Sequence, residues 1–172
     1  MQETPQQYRQ RMLGNIAGQD ALKVQASTAA RLARLIQRAS RQRLARQLTP
    51  GKWSVNEIVA HLAEAEIVVG YRIRMILGAP GTPIQAFDQD KWAAAGNYAA
   101  RDAKKSLALF RAVRQANLDL LRGLTPEQRK QFGVHSERGE ESVEMIVSMM
   151  AGHDVNHLRQ VEALLAPARS RK

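Results

Sequence analysis

The chain contains no cysteine. This absence excludes disulfide bonds, thiolate metal ligands, iron–sulfur clusters and cysteine nucleophiles, so any bound metal ion would depend on nitrogen and oxygen ligands. Long apolar runs are also lacking, and none approaches the roughly 20 residues that a membrane-spanning helix needs. The first twelve residues (MQETPQQYRQRM) have no apolar segment of the kind found in secretory signals. We therefore expect a soluble cytoplasmic protein without a membrane partner.

The composition is typical of one globular domain. The chain has 172 residues, of which 44% are hydrophobic and 24% charged, enough to form a stable core without cross-links. We expect a single domain over residues 1–172, with a core over about residues 28–165 and an N-terminal extension over residues 1–27.

The periodicity of apolar residues predicts helices and no convincing strand. A short helix is predicted over residues 6–16, and four long helices over residues 28–47, 54–77, 101–121 and 141–165. The second long helix has a capping-box start, with Ser54 three residues before Glu57. The stretch between the second and third long helices is rich in glycine and proline, which predicts a long loop. The expected fold is an all-α four-helix bundle, and the sequence leaves the order of the helices around it undecided.

The positive charge raises the question of a nucleic-acid partner. Lysine and arginine number 26 against 16 acidic residues, which gives a net charge of +10. Six arginines occur in the first long predicted helix, several of them at the spacing of one helical face. Neither stacking aromatics nor a recognition turn accompanies them, so we favour a solvated helix face and expect no specific nucleic-acid binding. These arginines are Arg31, Arg34, Arg38, Arg41, Arg43 and Arg46.

Three of the four histidines indicate a metal site. His153 and His157 are four residues apart on the last predicted helix, so both project from one face, one turn apart. This pair alone is weak evidence, because two surface histidines meet the same spacing by chance. His61 lies on the inward face of the second predicted helix, and three inward-facing histidines predict one divalent ion in the bundle core. Core histidines that merely hydrogen-bond to neighbours are the alternative interpretation.

Further candidates surround these histidines. Glu64 lies one turn beyond His61 and could be a fourth ligand, a partner that orients an imidazole, or a catalytic general base. A solvated helix acid is the alternative. Asp88 and Trp92 are candidate substrate-binding residues in the long loop, where with Phe87 they could form a lid over the metal; a loop anchored by its aromatics is the simpler interpretation. His135 lies outside the helical pattern and is not assigned to the metal site.

Four segments resemble the signature of the DinB/YfiT-like superfamily. In the first half they are residues 50–57 (PGKWSVNE) and 61–66 (HLAEAE). In the second half they are residues 135–139 (HSERG) and 152–160 (GHDVNHLRQ). The resemblance extends over about residues 32–165, in the expected order.

The resemblance implies a four-helix bundle with one divalent ion, often nickel or zinc, on one histidine of the second helix and two of the last. Those positions correspond to His61, His153 and His157. Many members have no established reaction, and some relatives are transferases or isomerases that use low-molecular-weight thiols. Because this chain has no cysteine, such a thiol would have to arrive as a cosubstrate.

The leading hypothesis is therefore a metal-dependent enzyme acting on a small molecule, by metal-activated water or by transfer to a metal-bound thiol. A non-catalytic metal-binding or stress-related binding protein is the second hypothesis, and a nucleic-acid-binding module is the third. The sequence is also compatible with a homodimer.

Overall fold

The computed structural model describes residues 3–167, and helices make up most of this part of the chain. In chain order they are α1 (Pro5–Gly14), α2 (Ala21–Ile36), α3 (Arg41–Ala45), α4 (Val55–Gly78), α5 (Gln89–Ala95), α6 (Ala103–Arg122), α7 (Pro126–Lys130) and α8 (Val143–Leu164). A 3-10 turn follows α5 at Tyr98–Ala100, and three short strands lie at β1 (Pro83–Ile84), β2 (Phe132–His135) and β3 (Gly139–Ser142).

The four long helices α2, α4, α6 and α8 form a bundle. Helix α4 packs mainly on α6 and α2 mainly on α8, while contacts between α2 and α6 and between α4 and α8 complete it. The predicted helical bundle is thus confirmed, and α4, α6 and α8 begin and end within two residues of the predicted bounds. Among the described residues, no helix has the length and apolar character to cross a bilayer.

The start of α4 shows how the sequence sets the position of a helix. The Ser54 side chain accepts a hydrogen bond from the Glu57 amide (3.4 Å), and the Glu57 carboxylate accepts one from the Ser54 amide (2.7 Å). This capping box satisfies amide groups that a helix terminus otherwise leaves without partners. The box sets the point at which α4 begins, and His61 lies one helical turn after Glu57.

A buried polar layer separates the two largest apolar clusters of the core. One cluster, around Leu62, Phe110 and Leu158, contains the first half of α4 and the second half of α8. The other, around Ile73 and Ile146, contains the opposite halves of these helices. The residues between them include a buried ion-pair network, formed by Glu66 of α4, Arg114 of α6, Asp154 of α8 and Thr28 of α2.

The prediction of one helix over residues 28–47 is wrong. The chain instead forms α2, which begins at Ala21, and a separate α3. Ser40 is extended between them (ψ 155°), and its hydroxyl accepts a hydrogen bond from the Arg43 amide, which caps α3. A serine side chain that bonds to the backbone in this way competes with a continuous helix.

The break in this helix also divides the predicted arginine face. Arg31 and Arg34 lie on α2, Arg38 lies in the connection, and Arg41 and Arg43 lie on α3. Arg31 pairs with Glu162 at 3.5 Å, while Arg43 donates to the carbonyls of Leu165 and Ala166 at the end of α8. The arginines therefore do not form one continuous face.

The expectation of no strand is also wrong. Strand β2 pairs in parallel with β1 and in antiparallel with β3, so that Phe132 faces Ser142 in the register. The apolar pattern of β2 is inverted, since Phe132 and Val134 are exposed whereas Gly133 and His135 face inward. Alternation between apolar and polar residues is the usual signal of a strand, and a strand whose inner residues are glycine and histidine lacks it.

The predicted long loop is partly ordered into β1, α5 and the 3-10 turn. Asp88 caps α5 by accepting hydrogen bonds from the amides of Asp90 (3.0 Å) and Lys91 (3.1 Å). The capping role accounts for an aspartate at this point in the chain, since such side chains satisfy the first amides of a helix.

Helix α1 packs directly on α8. A side-chain carbon at Gly152 would lie 1.8 Å from the Met12 carbonyl oxygen, so only glycine allows this approach. Two side-chain hydrogen bonds support the contact: Asn15 donates to the Gly152 carbonyl (3.1 Å), and Arg11 donates to Asn156 (3.0 Å). The predicted short N-terminal helix is confirmed, and it covers the part of α8 that carries His153.

Candidate metal centre

Two packed helices bring His61, His153 and His157 to one point. His61 projects from α4, and the other two project from successive turns of α8. His153 Nε2 lies 3.0 Å from His61 Nε2 and 3.1 Å from His157 Nε2. All three side chains are buried. The structure therefore brings together the three predicted histidines, and they form the one group of metal-ligand type found within residues 3–167.

These imidazoles are neutral near pH 7. Burial lowers the pKa of His61 to about 3 and that of His157 to about 4, and it holds the pKa of His153 well below its usual value. Mutual repulsion between the rings lowers the pKa values of His61 and His153 further. Neutral imidazole is the form that binds metals.

The orientation of the rings fits a metal ion. His157 Nδ1 lies 2.8 Å from Gln160 Oε1, and because that oxygen can only accept, Nδ1 carries the proton and Nε2 keeps its lone pair. His153 Nε2 lies close to both other Nε2 atoms, but one proton on it could hydrogen-bond to only one of them, whereas one cation can bind all three. An ion about 2.0–2.1 Å from each imidazole nitrogen separates such nitrogens by roughly 3.0–3.4 Å. The two separations from His153 Nε2, 3.0 and 3.1 Å, lie within this range.

One histidine of the cluster lacks a hydrogen bond at the ring nitrogen that faces away from the other two rings. His153 Nδ1 is buried and has no hydrogen-bond partner among the described residues. Most metal-binding histidines donate this second proton to a neighbour. His157, which contacts Gln160, is thus held more firmly than His153.

Two cavities adjoin the cluster. The first, of about 310 Å³, is lined by His61 and His153 and extends along α4 toward the β2–β3 hairpin. The second, of about 570 Å³, is lined by His153, His157 and Trp53. Both volumes lie within the range of known small-molecule pockets. Small molecules could approach the three histidines from either side.

The N-terminal extension is part of the site. Tyr8 of α1 and Gln89 of α5 line both cavities. Burial raises the pKa of the Tyr8 hydroxyl, so it remains a protonated donor. Neither residue was a sequence-based candidate, because Tyr8 precedes the region of the bundle and Gln89 carries no distinctive motif. Gln160, three residues after His157, is the one contact that helical spacing could have indicated.

Glu64 lies away from the histidine cluster. Its carboxylate accepts a hydrogen bond from the Tyr98 hydroxyl (2.7 Å) and pairs with Arg101 (2.5 Å). It therefore does not belong to the group whose ligand atoms converge. These contacts attach the 3-10 turn to α4, and a catalytic role for Glu64 stays a prediction.

Asp88 and Trp92 also lie outside the two cavities. Trp92 packs against Phe87 with ring centroids 4.6 Å apart. Both candidates line a neighbouring groove on the outer face of α4, which shares Arg72 and Phe87 with the first cavity. Phe87 lines both this groove and the first cavity, and Gln89 lines the first cavity. A substrate-binding role for Asp88 or Trp92 stays a prediction. His135, which the sequence analysis did not assign to the metal site, lies outside the histidine cluster and lines the first cavity.

Fold and site together define a class of protein, a helical bundle in which two helices direct three neutral imidazoles to one buried point. The model of the DinB superfamily matches residues 25–161, a range that includes all three histidines. The chain belongs to the DinB superfamily, as its sequence motifs predicted.

Several curated proteins are similar to this chain. The Oceanobacillus iheyensis protein OB0413, provisionally named a metal-dependent hydrolase, is 26% identical over 136 residues, which cover 79% of this chain and 78% of that protein. YfiT of Bacillus subtilis, with the same provisional name, is 26% identical over 115 residues, covering 66% of this chain and 65% of that protein. The solved structure of YfiT, which has a four-helix bundle topology described as unusual, matches with a TM-score of 0.75 at 23% identity. That match covers 83% of this chain and 84% of that chain.

Proposed function

We propose that this protein is a metal-dependent hydrolase that holds one divalent ion on His61, His153 and His157. The observation that carries the proposal is the convergence of three buried, neutral Nε2 atoms beside two cavities. The provisional names of the similar proteins favour hydrolysis over thiol-dependent transfer, the other reaction that the sequence allows.

The donor set fits a catalytic ion. Three imidazole ligands leave coordination positions free for a solvent molecule and a substrate, whereas structural sites are closed by four protein ligands. The family resemblance favours nickel or zinc, and imidazole suits both, although it also suits iron and copper. When bound, the ion supplies Lewis-acid chemistry, which lowers the pKa of a water or thiol ligand.

The surrounding residues prepare the site for this chemistry. Gln160 holds His157 in the tautomer that leaves Nε2 free. Helix α1 covers α8 at Gly152 and thereby shields His153 from bulk water. The Tyr8 hydroxyl offers a hydrogen-bond donor to a small-molecule substrate in either cavity.

Metal content tests the proposal. The protein is loaded with zinc or nickel, desalted, and measured by elemental analysis. We expect about one equivalent of metal in the parent and clear loss in His153→Ala, because two imidazoles bind far less tightly than three. His135→Ala is the matched control, since His135 is the fourth buried histidine and lies outside the cluster. Metal-free parent protein, or equal loss in both variants, would contradict the proposal.

Exogenous ligands distinguish an open site from a structural one. The visible spectrum of cobalt-loaded protein should change when azide or 2-mercaptoethanol is added, because each can enter a free coordination position. Chelated protein should keep its far-UV helical signal, since the bundle core is large enough to fold without metal. An unchanged cobalt spectrum together with unfolding on chelation would instead identify a metal that ties helices together.

A further inference from the structure

The first cavity follows one face of α4 from the histidine cluster to an arginine. His61, Ala65, Val69 and Arg72 all line it, at spacings that keep side chains on one helical face. Arg72 is eleven positions after His61, so their Cα atoms lie about 16.5 Å apart along the helix. A molecule that reaches the histidines at one end of the cavity therefore meets the Arg72 side at the other.

Arg72 has no carboxylate partner within 4.0 Å among the described residues. Its guanidinium donates to the Gln85 carbonyl and lies over the Phe87 ring, 5.5 Å from the centroid. Arg138, which lines the same cavity, differs because it donates two hydrogen bonds to Glu141, of 2.5 and 3.0 Å. Arg72 is thus the cation of this cavity whose charge is not balanced by a nearby protein anion.

The environment of Arg72 disfavours its charge. Burial lowers the pKa of Arg72, and repulsion from Arg138 acts in the same direction, while attraction to Glu141 opposes both. A partly buried cation without an anion gains when an anion binds beside it, because the pair offsets the cost of desolvation. Arginine is also suited to carboxylate and phosphate, whose oxygens match its planar donors.

A neutral donor lines the same cavity. His135 is buried on β2, and its Nδ1 accepts a hydrogen bond from the Glu137 amide (3.2 Å). Burial lowers the pKa of His135, so the ring is neutral near pH 7 and carries its proton on Nε2. Of the acidic residues that line the cavity, Glu141 is engaged by Arg138 and Glu3 by Arg11 (2.8 Å), while Glu137 is exposed.

We infer that Arg72 and His135 form an anion-binding subsite at the end of the cavity opposite the three histidines. The substrate is then a small molecule with a carboxylate or phosphate group at one end and its reacting group at the other. This inference deepens the proposed function and rests on it for the identity of the reacting end. The subsite itself requires no metal and can be tested without one.

The two tryptophans of the chain allow a direct test. The ring centroids of Trp53 and His61 are 4.9 Å apart, whereas Trp92 packs on Phe87, the ring over which Arg72 lies. In a Trp53→Phe background, Trp92 is the sole tryptophan. Chelated protein is titrated with inorganic phosphate, and separately with acetate, at constant ionic strength. We expect a saturable change in fluorescence, with binding weakened about tenfold or more by Arg72→Gln, as befits a lost charge-assisted hydrogen bond.

The controls separate this site from general surface charge. Arg111 is exposed on α6, which does not line the cavity, so Arg111→Gln should bind phosphate as the parent does. Arg72→Lys should fall between parent and Arg72→Gln, because it keeps the charge without the planar donors. Calorimetric titration of chains that retain both tryptophans repeats the comparison if Trp53→Phe folds poorly.

Equal phosphate affinity in the parent and Arg72→Gln would overturn the inference, as would an equal loss in Arg111→Gln. Parent protein that holds one metal ion but shows no Arg72-dependent anion binding would refute the subsite while leaving the proposed function intact. Parent protein that holds no metal ion but binds phosphate through Arg72 would refute the proposed function while leaving the subsite intact.

Discussion

Lowering the pH should destabilise the metal-free protein through its histidine cluster. The pKa values of His61, His153 and His157 are all lowered in the folded state, whereas in the unfolded chain each is about 6.5. As the pH falls through 6.5 the unfolded chain therefore takes up protons first. The stability that these neutral histidines contribute is present above that pH and is lost below it.

The size of the effect follows from linkage. At pH 7.5 each unfolded histidine binds few protons, and the effect on stability is about 0.1 kcal/mol or less; at pH 5.5 it is about 1.4 kcal/mol per histidine. The folded pKa values of about 3 for His61 and about 4 for His157 keep both rings neutral at pH 5.5, and the pKa of His153 is held well below its usual value. Three rings that stay neutral in the folded protein therefore give a loss of stability of about 4 kcal/mol. His135, whose pKa is also lowered, acts in the same direction.

Urea unfolding in the presence of a chelator measures this loss. The free energy of unfolding is compared at pH 7.5 and 5.5, a window that lies above the usual titration of carboxylates. His153→Leu should reduce the difference between the two pH values by about a quarter to a third, whatever its own effect on stability, because three or four histidines contribute. A parent difference below about 1 kcal/mol, or the same difference in His153→Leu, would refute the assignment of buried neutral imidazoles.

Two further substitutions test the packing around the site. Gly152→Ala should destabilise the protein by about 1–3 kcal/mol, because the new methyl group meets the backbone of α1. Gly14→Ala is the control, since a methyl group at Gly14 has open space and should cause no such loss. Urea unfolding measures both, and equal stabilities of the two variants would contradict the close approach of α1 to α8. Arg114→Met should cost about 3–5 kcal/mol, because it leaves two buried carboxylates without their cation. Arg111→Met, one turn earlier on the exposed face of α6, should change stability by about 0.5 kcal/mol or less, and a similar effect of both would argue against the buried network.

The long helices could be predicted because their apolar period is regular. The Ser54 capping box placed the start of α4, and the four-residue spacing of His153 and His157 placed both rings on one face of α8. The inward position of His61 then made the cluster predictable before any distance was known. Helical period carries this information because side chains three or four residues apart share a face.

The remaining features depend on contacts that period does not encode. The break at Ser40 occurs within a sequence that fits a continuous helix, and only its side-chain cap reveals it. Strand β2 was missed because its inward residues are Gly133 and His135. The role of Tyr8 arises from the docking of α1 on α8, a contact between distant parts of the chain. Arg72 was not recognised because its lack of an acidic partner is a tertiary property.

Helix α6 supplies no histidine to the cluster, yet its Arg114 holds together α4 and α8, the two helices that do. Arg114 pairs with Glu66 of α4 at 2.8 Å and donates to Asp154 of α8 at 2.5 and 3.0 Å. Glu66 lies five residues after His61, and Asp154 directly follows His153, so one guanidinium restrains the rotation of both helices close to their metal-ligand candidates. A buried ion pair is weak evidence for stability in itself, since apolar replacements can be as stable; its best-attested role is to specify register, and we infer that role here. Rotation of α4 or α8 by one residue would move its imidazole by about 100° around the helix axis and break the convergence of the three nitrogens. The polar layer that divides the core thus accounts for the geometry of the cluster, although none of its members belongs to the cluster itself.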